Sequence, residues 1–570
     1  MTAYRAPLAQ LRFALHEVFG VEAELASMPA FSGVDRALID QIIDEAAVFS
    51  SEVLAPTRTA GDAGCTLRDG RVFLPPGFAD VYRRFVDAGW PALACATEHG
   101  GQGLPMVLGN VVLEMLNAAN PSWAMFPGIA HGAYDLLRAH ASAELQARYL
   151  PKIASGVWTT SMCLTEAQAG SDLGLVRTRA EPLVDGRYAI SGAKLFISGG
   201  DHDAADNIVH LVLARLPDAP PGSRGLSLFL VPRHLPRGRE GDALVAEING
   251  IEVVALEHKM GMRGSATCAL NFDRALGWLI GEAHRGLSCM FVMMNAARLA
   301  VGLQSVGAGE LAHQCALEYA QARLQGRGAG DAPAVPLSEH ADVRRMLMTQ
   351  RAWTEGGRLL TIWLSLQLDV EHHHPDPVER ERAGERLGLL TPVAKAFLSD
   401  NVFEVANLAV QIYGGHGYVT EHGVEQIVRD VRVFSIYEGA NGIQALDLVG
   451  RKLLSDRGVR LGRLFDEIDV SLRGMEDLPQ VRALRRLLGE LRDVVARLDV
   501  ARANEVAAHL LRALGHAVLG WMLLRAASAD REARSDGPRA LMRFYFSQLF
   551  AESDYRIAVV RGAMPEEHTA

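Results

Sequence analysis

The hydrophobic period of this chain changes twice, and the order of those changes excludes most fold classes. Up to about residue 155 apolar side chains recur at helical spacing, in stretches such as 34–53, 78–88 and 108–119. From about 160 to 275 they fall into short runs, 208–214, 226–231 and 266–272, separated by Gly, Pro and Asp, which reads as strands. Asp185-Gly186 ahead of Tyr188-Ala189-Ile190 predicts a hairpin turn, and 219–225 an exposed loop. After Gly286 the helical spacing returns in Leu299, Leu303, Val306, Leu311 and Cys315, and it continues through 343–368 and 393–408. The Gly-, Ala- and Pro-rich stretch 325–336 reads as a loop. Strands and helices are segregated rather than alternating, so a doubly wound sheet is excluded. The expected fold is mainly α with a small central antiparallel β domain.

Beyond residue 454, Val481, Leu484, Leu488, Leu491, Val495 and Leu498 recur at gaps of three and four, a bundle or coiled-coil seam, and a further helix covers 501–527. No catalytic grouping stands there, so these helices are expected to cover or dimerise the core. A chain of 570 residues needs several structural units. The expected division is 1–158 (helical), 159–284 (β), 285–454 (helical) and 455–570 (additional helical).

Net charge and cysteine usage exclude other classes. A formal charge of −10 and a pI near 6.0 argue against a nucleic-acid surface, which needs clustered Lys and Arg. Cys65, Cys95, Cys163, Cys268, Cys289 and Cys315 lie far apart without a C-x-x-C pair, which suggests neither a zinc site nor a disulfide framework and fits a reducing cytoplasm. The N-terminus lacks an apolar signal core, and no stretch is read as approaching the ~20 apolar residues of a membrane span. His372-His373-His374 resembles a metal-binding tract, but adjacent histidines in a Pro- and Glu-rich linker read as solvated loop, and no metal is assigned.

Several stretches carry chemistry. In Ser435 to Gln444 an apolar run ends in Glu438 and Gly439 before a new helix, 445–454. A carboxylate between Tyr437 and a flexible glycine can be held partly out of water, which raises its pKa into the range of a usable base. On these ten residues alone, a helix-start carboxylate favoured by the dipole is the alternative. Met162 to Asp172 opens the β region with small residues and hydroxyls suited to close backbone approach to a flat or phosphorylated ligand. Phe196-Ile197-Ser198-Gly199-Gly200 sets an aromatic ring, a hydroxyl and a Gly pair at a strand end, though a β-edge turn accounts for either segment alone. Glu98 to Pro105 reads as a tight glycine loop built for shape.

Taken together and in this order, the segments resemble the acyl-CoA dehydrogenase family of flavoenzymes over almost the whole chain. The family's C-x-T-E-x-x-A-G-S-D and W-I-[ST]-[NG]-G segments read here as Cys163 to Asp172 and Phe196 to Gly200, with Phe196 in place of Trp and Ala167-Gln168 in place of Pro-Gly. Its Y-A-x-x-R-x-Q/T segment is Tyr319 to Gln325, followed by Gly326 where Phe is usual, and its Q-x-x-G-G-x-G-Y segment is Gln411 to Tyr418. Its R-D-x-[KR]-x-x-x-I-Y-E-G segment is Arg429 to Gly439, followed by Ala440 where Thr or Ser is usual.

The resemblance implies a helical N-domain, a β-barrel middle domain and a helical bundle. It also implies FAD contacts from Met162, Leu164, Thr165, Gly170, Ser171, Phe196, Ile197, Ser198 and Ala440, and from Arg323, Gln325, Gln411, Gly414 and Gly415, the last group toward the diphosphate and adenosine and partly across a subunit interface. It places Ser171, Asn295, Arg298 and Gly439 near the acyl-CoA, Asn295 standing where relatives carry Asp. It makes Glu438 the base that removes the α-proton while the β-hydride passes to flavin N5, leaving an α,β double bond. The position that holds the base in some relatives is Ala297, which cannot take a proton. Tyr4 to Leu8, Leu15 to Phe19 and the extra C-terminal helices resemble the longer bacterial branch that includes 3-methylmercaptopropionyl-CoA dehydrogenase. That branch implies a short or medium acyl group, with a thioether as one candidate. Electron-transfer flavoprotein is the implied acceptor and a homodimer or higher homo-oligomer the implied assembly. The alternatives within the same likeness are an acyl-CoA oxidase and a non-catalytic relative that binds nucleic acid. Glu438 and the acidic balance weigh against the second.

Overall fold

Where the hydrophobic period shortens, the chain forms a barrel. The computed structural model describes residues 3–237, 243–327, 333–531 and 537–563. These fall into two compact units, one of Met1–Ala47, Met106–Ala118 and Arg298–Ala570, the other of Val48–Pro105 and Ala119–Ala297.

The second unit carries the hairpin β1 (Thr66–Arg68) and β2 (Arg71–Phe73), then β3 (Trp158–Cys163), β4 (Arg179–Pro182), β5 (Tyr188–Ser198), β6 (Asn207–Arg215) and β7 (Leu226–Pro232). A small pair, β8 (His234–Arg237) and β9 (Ala243–Ile248), precedes β10 (Ile251–Leu256) and β11 (Thr267–Ile280). Pairing runs β11 to β5, β5 to β4, β4 to β6, β6 to β7 and β7 back to β11, so five strands close a ring that β3 and β10 extend. The turn at Asp185-Gly186 joins β4 to β5, with the Gly186 N–H donating to Leu183 O.

The sheet is not purely antiparallel as the sequence suggested. β3 runs parallel to β6, Ser161 opposite His210, and β4 meets β6 in parallel at Arg179 and Arg215. Parallel neighbours need a long crossover and leave no turn signature, whereas hairpins do. Alternate β6 residues enter two different cores. Val209, Leu211 and Leu213 join Tyr149, Leu150, Ile153, Met290 and Met293, while Val212 and Ala214 join Ile190, Phe229, Leu270 and Phe272. Burial on both faces explains the unbroken apolar run.

In the first unit the long helices are Ala341–His373 and Pro377–Tyr413, with Met106–Ala119 and Gly286–Ala322 contributing to it. The helix expected to start at 393 starts at Pro377 and runs through Pro392, which sequence reasoning treats as a breaker and which tertiary packing overrides. His372 and His373 form the last turn of Ala341–His373 and His374 caps it, rather than lying in a loop; the His373 ring meets Phe31 edge-on at 4.7 Å. The stretch 325–336 holds a hairpin, β12 (Leu324–Arg327) with β13 (Ala334–Pro336), and its residues 328–332 lie outside the described residues.

The C-terminal helices Val459–Ser471, Pro479–Ala496 and Val500–Ala529 belong to this same unit. Gly515 of Val500–Ala529 lies so close to the Phe397 ring that a Cβ would stand 2.4 Å from it. Two helices, Gly286–Ala322 and Val500–Ala529, do reach the length and hydropathy of a membrane span, contrary to the expectation from sequence. Most of the apolar surface of Val500–Ala529 is buried against its neighbours, so length and composition do not distinguish it from a core helix.

Candidate active site

The Glu438 turn is made by two successive residues with left-handed backbone. Helix Val424–Val431 passes into a tighter turn, Arg432–Ser435, whose end is anchored by the buried Phe434. Glu438 then has φ +53 and Gly439 φ +86. The first is uncommon for a residue with a side chain and costs on the order of 1 kcal/mol. The second requires glycine, and a Cβ there would also stand 2.5 Å from Gln444 Nε2. The buried Gln444 holds the bend, its Nε2 donating to Glu438 O at 3.2 Å and Gly439 O at 3.3 Å. Ala440 caps the next helix, which starts at Asn441 rather than at 445 and opens into a wider turn over Asp447–Leu453. Glu438 therefore precedes the cap and is not in a first helical turn, as the bland alternative required. Its backbone N–H donates to none of the described groups.

Glu438 is half-buried, and burial pushes its carboxyl up to about 7 against the opposing pull of Arg298 and Lys395. Arg298, on Gly286–Ala322, is buried, with Nη1 3.9 Å from Asp447 Oδ2 and its guanidinium beside Gly439. Burial lowers its pKa, while Asp447 and Glu438 oppose that. Lys395 is wholly buried on Pro377–Tyr413 and is pushed down to about 8, first by burial, with Glu438 and Asp400 opposing. Tyr437 donates its hydroxyl to Gln304 Oε1, and burial raises its pKa. A carboxyl poised near neutrality between two buried cations can exchange a proton at physiological pH.

Of the expected acyl-CoA residues, the structure brings Arg298 and Gly439 to Glu438. Asn295 lies one turn ahead of Arg298 on the same helix, and Ser171 is an exposed residue of the second unit. Lys395, Asn441, Gln444 and Gln304 are members of the site that sequence reasoning missed. Lys395 had a signal, being the one charged residue in the otherwise uncharged run 387–399.

Also in the first unit, the segments 319–325 and 411–418 meet. The Tyr319 and Tyr413 rings stack at 4.1 Å, and Tyr319 Oη lies 3.0 Å from His416 Nδ1. Around them Arg323, Gln325, Gln411, Gly414 and Gly415 are exposed, Arg323 donating to Gln325 Oε1 at 3.4 Å. Gly414 has φ +60 and ψ −135, backbone open only to glycine. Gly326, at φ +73, turns inside the β12–β13 hairpin.

In the second unit the two expected flavin segments are bound to each other. Leu195 N–H donates to Thr165 O at 2.9 Å, and the buried Lys194 donates to Leu164 O at 3.1 Å and Glu166 Oε1 at 2.8 Å. Glu166 also accepts from Thr178 Oγ1 at 2.6 Å and from the Arg177 and Thr178 N–H groups. Burial raises this carboxyl, but the Lys194 charge and these bonds outweigh it and hold Glu166 down at about 2. Gln168, where relatives carry Gly, donates to Glu166 Oε2 at 2.6 Å and so braces the loop itself. Met162 and Leu164 line the β3 end, Gly170 has open space beside it, and Ile197 is buried below Ser198. Phe196 has φ +58 and is 61% exposed. A strained, exposed aromatic over two clamped strand ends fits a flat ring system such as a flavin.

Three family models describing acyl-CoA dehydrogenase match, the N-terminal domain at residues 39–157, the middle domain at 161–275 and the C-terminal domain at 284–454. The chain belongs to the acyl-CoA dehydrogenase family. A fourth model, described as acetyl-CoA dehydrogenase C-terminal like, matches 476–564. 3-Methylmercaptopropionyl-CoA dehydrogenase of Ruegeria pomeroyi is 42% identical over 94% of this chain and 92% of its own length. The broad-specificity linear acyl-CoA dehydrogenase FadE5 of Mycobacterium tuberculosis is 32% identical over 97% and 95%. Among solved structures, Caenorhabditis elegans ACDH-11 in complex with C11-CoA shares the fold with a TM-score of 0.77, covering 96% of this chain and 94% of that one at 19% identity. A Bacillus anthracis acyl-CoA dehydrogenase complexed with FAD gives 0.76, over 95% and 90%, also at 19% identity. The chain is thus an FAD-using oxidoreductase of acyl-CoA substrates, and it carries the extra C-terminal helices of the longer relatives.

Proposed function

We propose that this acyl-CoA dehydrogenase forms the α,β double bond of an acyl-CoA thioester with Glu438 as the base. The observation that carries the reading is the Glu438 carboxyl, lifted by burial to about 7 in a strained turn and faced by Arg298 and Lys395. A thioester α-proton is weakly acidic, so removing it needs both a base and stabilisation of the enolate oxygen. The Glu438 N–H is the backbone donor suited to that carbonyl. Gly439 and Gln444 hold the turn so that donor and carboxylate keep a fixed relation. Bound FAD supplies the hydride acceptor, its N5. Thr165, Phe196, Ile197 and Ser198 would hold its ring, with Met162, Leu164, Gly170 and Ser171 around it. Arg323, Gln325, Gln411, Gly414 and Gly415 would hold its diphosphate and adenosine. Arg298, beside Gly439, would meet the acyl-CoA at the base.

The Ruegeria relative, similar along nearly its whole length, supports 3-methylmercaptopropionyl-CoA or another short or medium acyl-CoA as the substrate. An electron-transfer flavoprotein as acceptor, a homodimer or higher homo-oligomer as the working form and a cytoplasmic location complete the proposal. Anaerobic mixing with 3-methylmercaptopropionyl-CoA and a series of linear acyl-CoAs is expected to bleach the flavin. Glu438→Gln is expected to slow bleaching by more than about a hundredfold, in line with the usual worth of a positioned base. A variant that bleached as fast as the parent would remove Glu438 from the role.

A further inference from the structure

A lysine with no exposed surface is rare unless it is paired with a carboxylate. Lys395 is such a residue, and among the described residues no carboxylate lies within ion-pair distance of it. Its Nζ donates instead to Asn441 Oδ1 at 2.8 Å. Asn441 is fastened to the same stretch of helix by its other end, Nδ2 donating to Ala396 O at 3.1 Å, Ser399 Oγ at 2.9 Å and Asp400 Oδ1 at 2.7 Å. Only Gly439 and Ala440 separate Asn441 from Glu438, so whatever fixes Asn441 fixes the far side of the turn. We propose that Lys395 is a positioning residue for the base, clamping the Glu438 turn through Asn441 and setting a fixed positive charge beside the Glu438 carboxylate. This rests on the reading of Glu438 as the base.

The charges around it decide the sign. Glu438 faces the cations Arg298 and Lys395 and adjoins Tyr437; Lys395 faces Glu438, Asp400 and Arg298; Arg298 faces Asp447, Glu438 and Arg451. Asp400 is exposed, so water screens it from Lys395 more than it screens the buried groups from one another. Asp447 draws on Arg298 and leaves Lys395 as the cation without a contact carboxylate. A cation near a carboxyl favours its ionised form. Losing Lys395 therefore raises the pH at which Glu438 becomes a base. Burial pushes Lys395 down to about 8, still above the value near 7 at which Glu438 ionises, so most of its charge is present at the Glu438 midpoint.

The test is the rate of anaerobic flavin reduction by an accepted acyl-CoA, in FAD-loaded enzyme, from pH 6 to 9. Lys395→Gln removes the charge and keeps a donor toward Asn441, and Lys395→Met removes both. Both are expected to move the midpoint of the rate rise up by about one pH unit, so that reduction at pH 7 falls roughly fivefold; Lys395→Gln recovers to within about twofold at pH 9, whereas Lys395→Met, without the tether, stays slower at every pH. Lys395→Arg is expected to keep the parental midpoint. Asn441→Ala keeps the charge and loses the tether, and it is expected to slow reduction at every pH without moving the midpoint. Equal slowing at every pH in Lys395→Gln, with the midpoint unmoved, would overturn the electrostatic role. Failure of the underlying reading shows separately, as Glu438→Gln reducing its flavin at the parental rate.

Discussion

Glu438 combines two costs that a structural carboxylate would avoid, a left-handed backbone and a carboxyl held up near 7. Strain and perturbed ionisation at one residue are what a reactive group shows. The second cost sets a stability prediction with a definite sign. An unfolded Glu titrates near ~4.3, below the folded value, so the folded chain binds more protons across that window. Stability attributable to this group is therefore highest below the unfolded pKa and falls as pH rises toward 7. Glu438→Gln cannot ionise and escapes the penalty. At pH 8 it is expected to melt above the parent, with the difference narrowing by pH 5, as calorimetry at both pH values would show. A variant that melted below the parent at pH 8 would contradict the reading of this site as electrostatically costly.

At the scale of the element, the helix Met106–Ala119 has no capping side chain of its own. Its first two N–H groups, Met106 and Val107, donate to Asp369 Oδ1 at 2.6 Å and Oδ2 at 2.9 Å, from a residue more than 260 positions away. Asp369 is buried, and burial pushes it up to about 7 although both N–H groups favour its charged form. Asp369→Asn leaves one acceptor for two donors, a loss of about 1–2 kcal/mol at the helix start. Amide exchange in that first turn is expected to quicken about tenfold, while the barrel amides keep their protection. Unchanged exchange there would mean that water replaces the cap. Such a cap is illegible in the sequence because it is not local. The same holds for the parallel pairing of β3 with β6 and for the run of helix through Pro392, both decided by tertiary packing. The elements that were legible, the β4–β5 turn and the apolar runs of β6 and β7, are those specified by neighbouring residues.

At the scale of the molecule, the segregation of periods gave the barrel and the helical regions their places. The extra C-terminal helices were legible as a seam, but not their attachment. Gly356 and Gly515 mark it, since a Cβ at Gly356 would meet Leu519 at 2.9 Å and one at Gly515 would meet Phe397 at 2.4 Å. Trp363 and Trp521 cross edge-on at 5.0 Å in the same region. Glycines inside helices are ambiguous in sequence, because only the partner surface shows which of them are contacts. The site was legible in the same uneven way. Glu438 and Gly439 follow from a recognisable segment and Arg298 from the family likeness, whereas Lys395, Asn441 and Gln444 act through contacts that folding alone creates. The most direct test of the central claim is the pH dependence of kred/Kd for flavin reduction in the parental enzyme, which reports the base in the free enzyme. It is expected to rise about tenfold per pH unit below a midpoint near 7 and to level off above it. A profile already level at pH 5.5, as an ordinary carboxylate would give, would contradict the account.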